Sequence, residues 1–325
     1  MKVLITSRSF RQQPGEHQRI LQQAGCECIE SPVNRPLAAE ELIPLIRDVD
    51  AVIVGLDQVT ADVIAAGPRL RVVSKYGVGV DNIDLEAATR AGVVVTNTAG
   101  ANHTAVAELA LGLMLALARS IPQHCADARS GSWRRAIGVE LAGKQLGIVG
   151  LGRIGEAVAR RALAFEMSIL YNDVRRRRDL EVQGWIAYAD LDELLPRSDV
   201  VTLHCPYSPG TAPLIGEAQL RAMKRSGYLI NTARAELVDE TALTRALREG
   251  WIAAAASDVL AHKPPKASPL LAFDSFVATP HIGADTIEAT RRMGIMAARN
   301  TVLVLQGRRP LALVNPSVYK EKNTP

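Results

Sequence analysis

Arg234 and His281 are two side chains of this 325-residue chain whose types and positions suit chemistry on a carboxylic acid. Arg234 directly follows the run GYLINTA (227–233). A guanidinium there can fork onto a carboxylate with two parallel hydrogen bonds, a geometry lysine does not match, although a surface ion pair is the competing reading. His281 closes SFVATPH (275–281) just before Gly283. An imidazole gives and takes protons near neutral pH, while a lone histidine is more often structural. With ASDVLAHKPP (256–265), these stretches stand at the ends of expected strands, where open α/β sheets place their sites.

A second group of residues points to a nucleotide. LGIVGLGRIGEAVARRA (146–162) reads as strand, glycine-rich turn and helix. In Gly150-Leu151-Gly152-Arg153-Ile154-Gly155 the first glycine permits a tight turn, the second lets backbone approach a pyrophosphate, and the third lets helix pack on strand. The helix would then point unpaired N–H groups at the phosphates. GxGxxG alone is weak evidence, because a glycine-rich turn can simply connect two elements. Here the next strand follows and ends on Asp173, where a carboxylate would accept from the ribose hydroxyls and repel a 2′-phosphate. NAD is therefore expected rather than NADP. The run RRRR (175–178) opposes this, since an arginine there could grip that phosphate; a solvated charge run is the other reading.

The elements that must carry these residues fall into two alternating series. Before residue 100 come KVLITS (2–7), ECIES (27–31), AVIVG (51–55), RVVSKYG (71–77) and GVVVTN (92–97), separated by amphipathic segments, as in a parallel sheet. Residues 102–129 are apolar almost all round, as in a helix buried on most faces or lying at an interface. The second series runs QLGIVG (145–150), SILYND (168–173), DVVTLHC (199–205), GYLINTA, IAAAASDV (252–259) and SFVATPH, giving a doubly wound sheet. DETALTRALREG (239–250) has the acidic start and terminal glycine of a capped helix. A last helical stretch (286–306) and the tail RRPLALVNP follow after that sheet has used its strands, so the tail is expected to return to the first domain.

Bulk properties narrow the function. An apolar fraction of 48% supplies two cores, and 38 basic against 34 acidic residues leave +4, too balanced for non-specific attraction to nucleic acid or membrane. Cys26, Cys28, Cys125 and Cys205 form no CxxC pair, so neither a disulfide framework nor a zinc site is indicated. VAELALGLMLALA (106–118) contains Glu108 and falls short of the roughly 20 residues of a membrane span. A cytoplasmic protein acting on a small molecule, with no metal, is expected.

Together with KYGVGVDNIDL (75–85), NTAGANHTAVAELALGLMLALAR (97–119), LHCP (203–206), INTARAELVDE, SDV and PHIG, these motifs make the chain resemble the D-isomer-specific 2-hydroxyacid dehydrogenases over nearly its whole length. The resemblance implies a Rossmann cofactor domain (99–289) inserted into a flavodoxin-like substrate domain (1–98 plus 290–325), both doubly wound α/β units with parallel sheets. A dinucleotide fingerprint in mid-chain is thereby explained. The resemblance further implies a substrate side formed by Lys75, the amides of Val78, Gly79 and Val80, and Asn102. Arg234 would hold carboxylate and carbonyl oxygen, and His281 would donate the proton. Asp258 would meet the nicotinamide carboxamide, with Cys205, Pro206, Thr232, Ala233 and Gly283 along the cofactor groove. Family members usually form dimers through the long helix.

The pattern breaks where such enzymes carry a glutamate that pairs with the histidine: this chain has Lys263 in DVLAHKP. An ammonium about 4 Å from an imidazole opposes its protonation by up to roughly 4 kcal/mol at an effective dielectric near 20. Three readings stay open. Lys263 would bind an extra anionic group on the substrate, such as a second carboxylate, phosphate or phosphonate. Alternatively Asp285, one turn after His281 if that segment is helical, would replace the missing partner. In the third, proton transfer is dispensable, as in formate dehydrogenases of the same superfamily. AHKPPKASP also reads as a plain exposed connection. Ala235 and Ser257 replace a usual glycine and a usual apolar residue. The competing function is an NAD(H)-sensing binding protein resembling the C-terminal-binding-protein corepressors.

Overall fold

The computed structural model describes residues 1–207, 213–261 and 268–321, and the chain divides into two compact units. The first comprises Met1–Asn102 and Ala284–Pro325, the second His103–Gly283.

In the first unit β1 (Lys2–Ile5), β2 (Glu27–Glu30), β3 (Ala51–Val54), β4 (Val72–Lys75) and β5 (Val94–Thr96) form a parallel sheet in the order β2-β1-β3-β4-β5. The runs AVIV and VVSK are buried along their whole length, which explains why they show no polar alternation. β2 is an edge strand whose Glu27 is exposed. Charge there discourages pairing with another chain. The helix Ile287–Leu305, capped by the Thr286 hydroxyl on the Ala289 amide, covers β3 and β4 and packs on the helix Glu16–Gln23. Beyond it the tail runs beside β5: Thr96 bridges Leu313 antiparallel, and Asn315 accepts from the Val95 amide while donating to the Val93 carbonyl.

In the second unit the order is β12-β11-β10-β9-β6-β7-β8, again all parallel. Its strands are β6 (Gln145–Val149), β7 (Ser168–Asn172), β8 (Ala187–Tyr188), β9 (Val200–Leu203), β10 (Tyr228–Asn231), β11 (Ala254–Ser257) and β12 (Phe276–Ala278). Each of the eleven strand runs expected from sequence is found, and the two-residue β8 is added. One face is covered by the helices His103–Ala118 and Arg153–Leu163, the other by helices that include Glu240–Glu249. The last has the Asp239 carboxylate on the Ala242 amide at its start and Gly250 at φ +70° at its end. Residues 102–129 are two helices, not one: Ser120 adopts φ +46°, and a second helix, Ile121–Arg129, leaves at 63°. No single helix among the described residues is long and apolar enough to cross a membrane.

One buried histidine is expected to make the first unit acid-sensitive. His17 donates Nε2–H to the Phe10 carbonyl (2.9 Å), so Nδ1 carries no proton, and among the described residues this buried Nδ1 has no partner. Its ring lies against Gly294, where a Cβ would come within 3.0 Å of it. Burial holds the imidazole below the usual histidine range, with the Phe10 bond opposing. A lowered folded value means that His17 contributes fully above about pH 6.5 and loses that contribution as pH falls further. Unfolding by urea at pH 7.5 and pH 5.5 checks this: the loss of stability on acidification should be smaller in His17→Phe than in the parent.

Candidate active site

The glycine turn opens where β6 ends. Gly150 has φ +95°, and a Cβ there would stand 2.5 Å from the Cys205 amide nitrogen just past β9. β6 and β9 are the neighbours at which the winding of the sheet reverses, so Gly150 answers a backbone approach within the protein. At Gly155 a Cβ would overlap the Gly150 carbonyl oxygen. Gly152 differs, because nothing lies within 4 Å of its would-be Cβ. It sits at the N-cap of Arg153–Leu163 with no side-chain cap, beside exposed Arg153 and half-buried Ile154. An open cradle over uncapped helix N–H groups fits a pyrophosphate.

Asp173, after β7, braces this turn. Its carboxylate accepts from the Leu151 amide (2.6 Å) and the Arg175 amide (2.8 Å). An ionised carboxylate offers about four acceptor positions, so capacity remains for ribose hydroxyls. Of the four arginines, Arg176 pairs with Glu181 (2.8 Å), and Arg177 with Asp179 (2.9 Å) and Glu156 (3.2 Å). Arg175 and Arg178 are exposed and form no ion pair among the described residues. On the β9 side, His204 lies between the Thr202 hydroxyl on Nε2 (2.9 Å) and the Thr232 hydroxyl on Nδ1 (3.4 Å). Burial pushes its pKa down to about 3, so the ring is neutral. Cys205 and Pro206 follow; burial pushes the Cys205 thiol up, which keeps it protonated and non-nucleophilic.

Arg234 and His281 stand on two loops of this same sheet edge, and strand-end side chains fix both loops. Asn231, the last residue of β10, accepts from the Ala233 amide (3.0 Å) and donates to the Arg234 carbonyl (2.8 Å). The half-buried Arg234 guanidinium leans on the Ala233 carbonyl (2.7 Å), before the 3-10 turn Ala235–Leu237. Asp258, just past β11, is 2% exposed and donates its amide to the Asn231 carbonyl (2.9 Å). Its carboxylate accepts from the Thr279 hydroxyl (2.6 Å) and from the amides of Ile282 and Gly283 (2.8 Å each). His281 lies inside that clamp at φ +60°. Ser257 donates to the Val259 carbonyl (2.6 Å), which accounts for a polar residue at that place.

Asn231 and Thr279, which fix these two loops, are positions that the sequence did not single out. The available signal was an asparagine or threonine at a strand end before a turn, where side chains bond nearby backbone.

In the first unit, of the residues expected on the substrate side, Lys75 ends β4, Val78, Gly79 and Val80 lie on the loop after it, and Asn102 follows β5. The Tyr76 amide donates to the Val54 carbonyl, Gly77 exchanges bonds with Thr98, and the Asn97 amide group holds the Val78 carbonyl (2.9 Å). The amides of Val78, Gly79 and Val80 donate to no acceptor among the described residues. Lys75 is 3% exposed, and its ammonium donates to the Gly55 carbonyl (2.5 Å) and Asn82 Oδ1 (2.8 Å), so it supports the loop from inside. Asn102 is also buried, and its Oδ1 has no partner among the described residues.

One expectation changes, and another falls outside the described residues. Asp285 was tied to His281 through a helical turn, but the helix begins only at Ile287, so that premise fails. Asp285 belongs to the first unit, where partial burial raises its pKa, the Arg8 charge lowers it, and its own charge acts on Tyr76. Lys263 and His262 lie outside the described residues.

Comparison with known proteins bears on the same elements. The family described as "D-isomer specific 2-hydroxyacid dehydrogenase, NAD binding domain" matches residues 111–283. A glyoxylate reductase of Thermofilum pendens is 47% identical over 307 residues, covering 90% of this chain and 91% of its own. A D-3-phosphoglycerate dehydrogenase of Methanocaldococcus jannaschii is 44% identical over 94% of this chain, which spans 58% of that longer protein. The crystal structure of a glyoxylate reductase from Paecilomyes thermophila superposes with a TM-score of 0.84 at 30% identity, covering 97% of this chain and 98% of that one. With the nucleotide cradle intact and the likeness spanning both units, the chain belongs to the D-isomer specific 2-hydroxyacid dehydrogenase family and is an NAD-dependent oxidoreductase acting on CH–OH groups.

Proposed function

We propose that this oxidoreductase interconverts a small 2-oxo acid and its D-2-hydroxy acid, with Arg234 and His281 acting on the reacting oxygen. When bound, the nicotinamide supplies or accepts the hydride. In the reducing direction C2 gains that hydride and the former carbonyl oxygen gains a proton from His281, so acid and cofactor exchange two electrons and the chain loses one proton to be refilled from solvent. Arg234 would hold the carboxylate and stabilise charge growing on that oxygen. The amides of Val78, Gly79 and Val80, with Asn102, would bind the carboxylate. Asp258 would meet the carboxamide, and Cys205, Pro206, Thr232, Ala233 and Gly283 would line the cofactor.

The carrying observation is that one residue, Asp258, holds the loop of His281 with its carboxylate and, with its backbone amide, the end of the strand from which the loop of Arg234 departs. The names of the relatives favour glyoxylate among small 2-oxo acids. Lys263 adds a finer possibility, an acid with an extra anionic group. Purified protein with NADH and a panel containing glyoxylate, pyruvate, hydroxypyruvate and phosphonopyruvate should oxidise NADH with at least one member, and NADPH should be the poorer donor because Asp173 faces that ribose. Lys263→Glu should chiefly raise KM for a dianionic acid; unchanged discrimination removes the extra-anion reading. Binding of NADH without turnover across the panel would favour the sensing role.

Arg234→Lys keeps the charge but loses the fork. It should lower kcat/KM for the preferred acid by about 100-fold while leaving NADH affinity nearly unchanged.

We also propose a homodimer. The Val139 amide donates to the Ala118 carbonyl at the end of His103–Ala118, and the segment before it exposes Trp133 (84%) and Ile137 fully. Such apolar side chains on an ordered segment suit a second copy of the chain. Light scattering should give a dimer mass that falls to the monomer in the double variant Trp133→Glu, Ile137→Asp.

A further inference from the structure

We infer that Thr279 is a positioning residue that sets His281 through Asp258, an inference that rests on the role proposed for His281. At φ +60° His281 occupies the left-handed region, which side chains larger than glycine avoid. Backbone of this kind persists only where the surroundings over-determine it, and it concentrates at functional sites. The surroundings here are explicit. The Thr279 amide donates to the Ser257 carbonyl (3.0 Å) and the His281 amide to the Thr279 carbonyl (3.0 Å). The Asp258 carboxylate then grips the chain on both sides of the histidine, the Thr279 hydroxyl before it and the Ile282 and Gly283 amides after it. At Gly283 an added Cβ would stand 3.0 Å from Asp258 Oδ2 and 3.4 Å from Val106, so a larger residue would require the carboxylate to give by a few tenths of an ångström.

Of these three donors, Thr279 is the one that uses its side chain. The amides hold the loop near β11 whatever residues occupy it, whereas the hydroxyl fixes the rotation of the chain entering His281. Thr279 is half-buried, and removing its hydroxyl still leaves the Asp258 carboxylate its charge-assisted bonds from the Ile282 and Gly283 amides. Folding therefore survives its loss, while the ring direction does not. Misplacement by a fraction of an ångström is enough to slow a reaction that depends on a pre-aimed donor.

Thr279→Val and Thr279→Ser test this on the full chain. Four readings are taken: kcat and KM with NADH and glyoxylate, NADH Kd by fluorescence, thermal midpoint, and the rate of carbethoxylation at His281 by diethyl pyrocarbonate, mapped by peptide mass. Thr279→Val should lower kcat about 10- to 100-fold with KM, NADH Kd and midpoint nearly unchanged, and should alter the His281 modification rate severalfold. Thr279→Ser should restore both. A valine variant within about twofold of the parent in kcat and modification overturns the inference, as does a serine variant no better than valine. Thr279→Ala repeats the comparison if the valine variant does not fold; failure of both to fold also overturns it, because the hydroxyl is then structural. A parent enzyme that reduces no 2-oxo acid overturns the proposed reaction instead, and the modification rates still decide the clamp.

Discussion

Every strand in both units is parallel, and this one constraint decides where chemistry can sit. Parallel neighbours need a crossover, so all the strand exits of a unit lie at one edge and all the entries at the other. Exits are where a rigid element hands over to a loop, and a loop there is both precisely placed and free to carry an unusual side chain. In the second unit the winding reverses between β6 and β9, which parts the flanking helices and leaves the glycine turn reachable from outside. Arg234 and His281 belong to the exits of β10 and β12 on the same edge. Each site residue of that unit is therefore a consequence of strand order before it is a consequence of its own chemistry.

Strand exits also leave amides without ladder partners, and the chain meets that cost with short polar side chains at those places. Asp173 holds amides of the glycine turn, Asn231 those of the Arg234 loop, and Asp258 those of the His281 loop. The first unit does the same: Asp57 accepts from the Thr6 hydroxyl and the amides of Gly55 and Leu37, and Asn82 donates to the Asp57 carbonyl. A bond to a charged partner contributes about 1.5–3 kcal/mol, and an orphaned buried amide costs a similar amount. These residues consequently stabilise the fold and specify loop shape with the same atoms. A site built this way does not need large loops; it needs loops whose amides are all accounted for except those left for a ligand.

That economy explains what could be read in the sequence. Strands such as AVIVG and DVVTLHC announce themselves because full burial on both faces demands unbroken apolar runs, and DETALTRALREG announces both its caps. The three glycines could be assigned by spacing, but only coordinates separate Gly150 and Gly155, which protein backbone requires, from Gly152, which it does not. The break at Ser120 went unseen, although the apolar run stops at Ala118 and Arg119, Ser120 and Pro122 follow; the bend itself is set by the positive φ of Ser120. β8 is two residues long and carries almost no pattern. Asn231 and Thr279 were passed over for a different reason: a polar residue before a turn looks like a loop residue, and the Thr279 partner is a carboxylate 21 positions away along the chain. Asp285 misled through an assumed helix, because four-residue spacing has meaning only once the backbone is helical.

In the proposed reaction the two kinds of donor divide the work. The amides of Val78, Gly79 and Val80 are neutral, held by Asn97, Thr98 and Asn82 around them, and they meet a carboxylate that keeps its charge from 2-oxo acid to 2-hydroxy acid. Such contacts bind ground state and transition state alike, so they set affinity without lowering the barrier. Charge changes at the former carbonyl oxygen alone, and the groups assigned to that oxygen are a guanidinium and an imidazole. Interactions that strengthen as that charge grows are the ones that accelerate hydride transfer, provided the donors are already aimed. Rigidity therefore matters most at His281, whose backbone lies in the left-handed region and whose loop is gripped from both sides by a buried carboxylate.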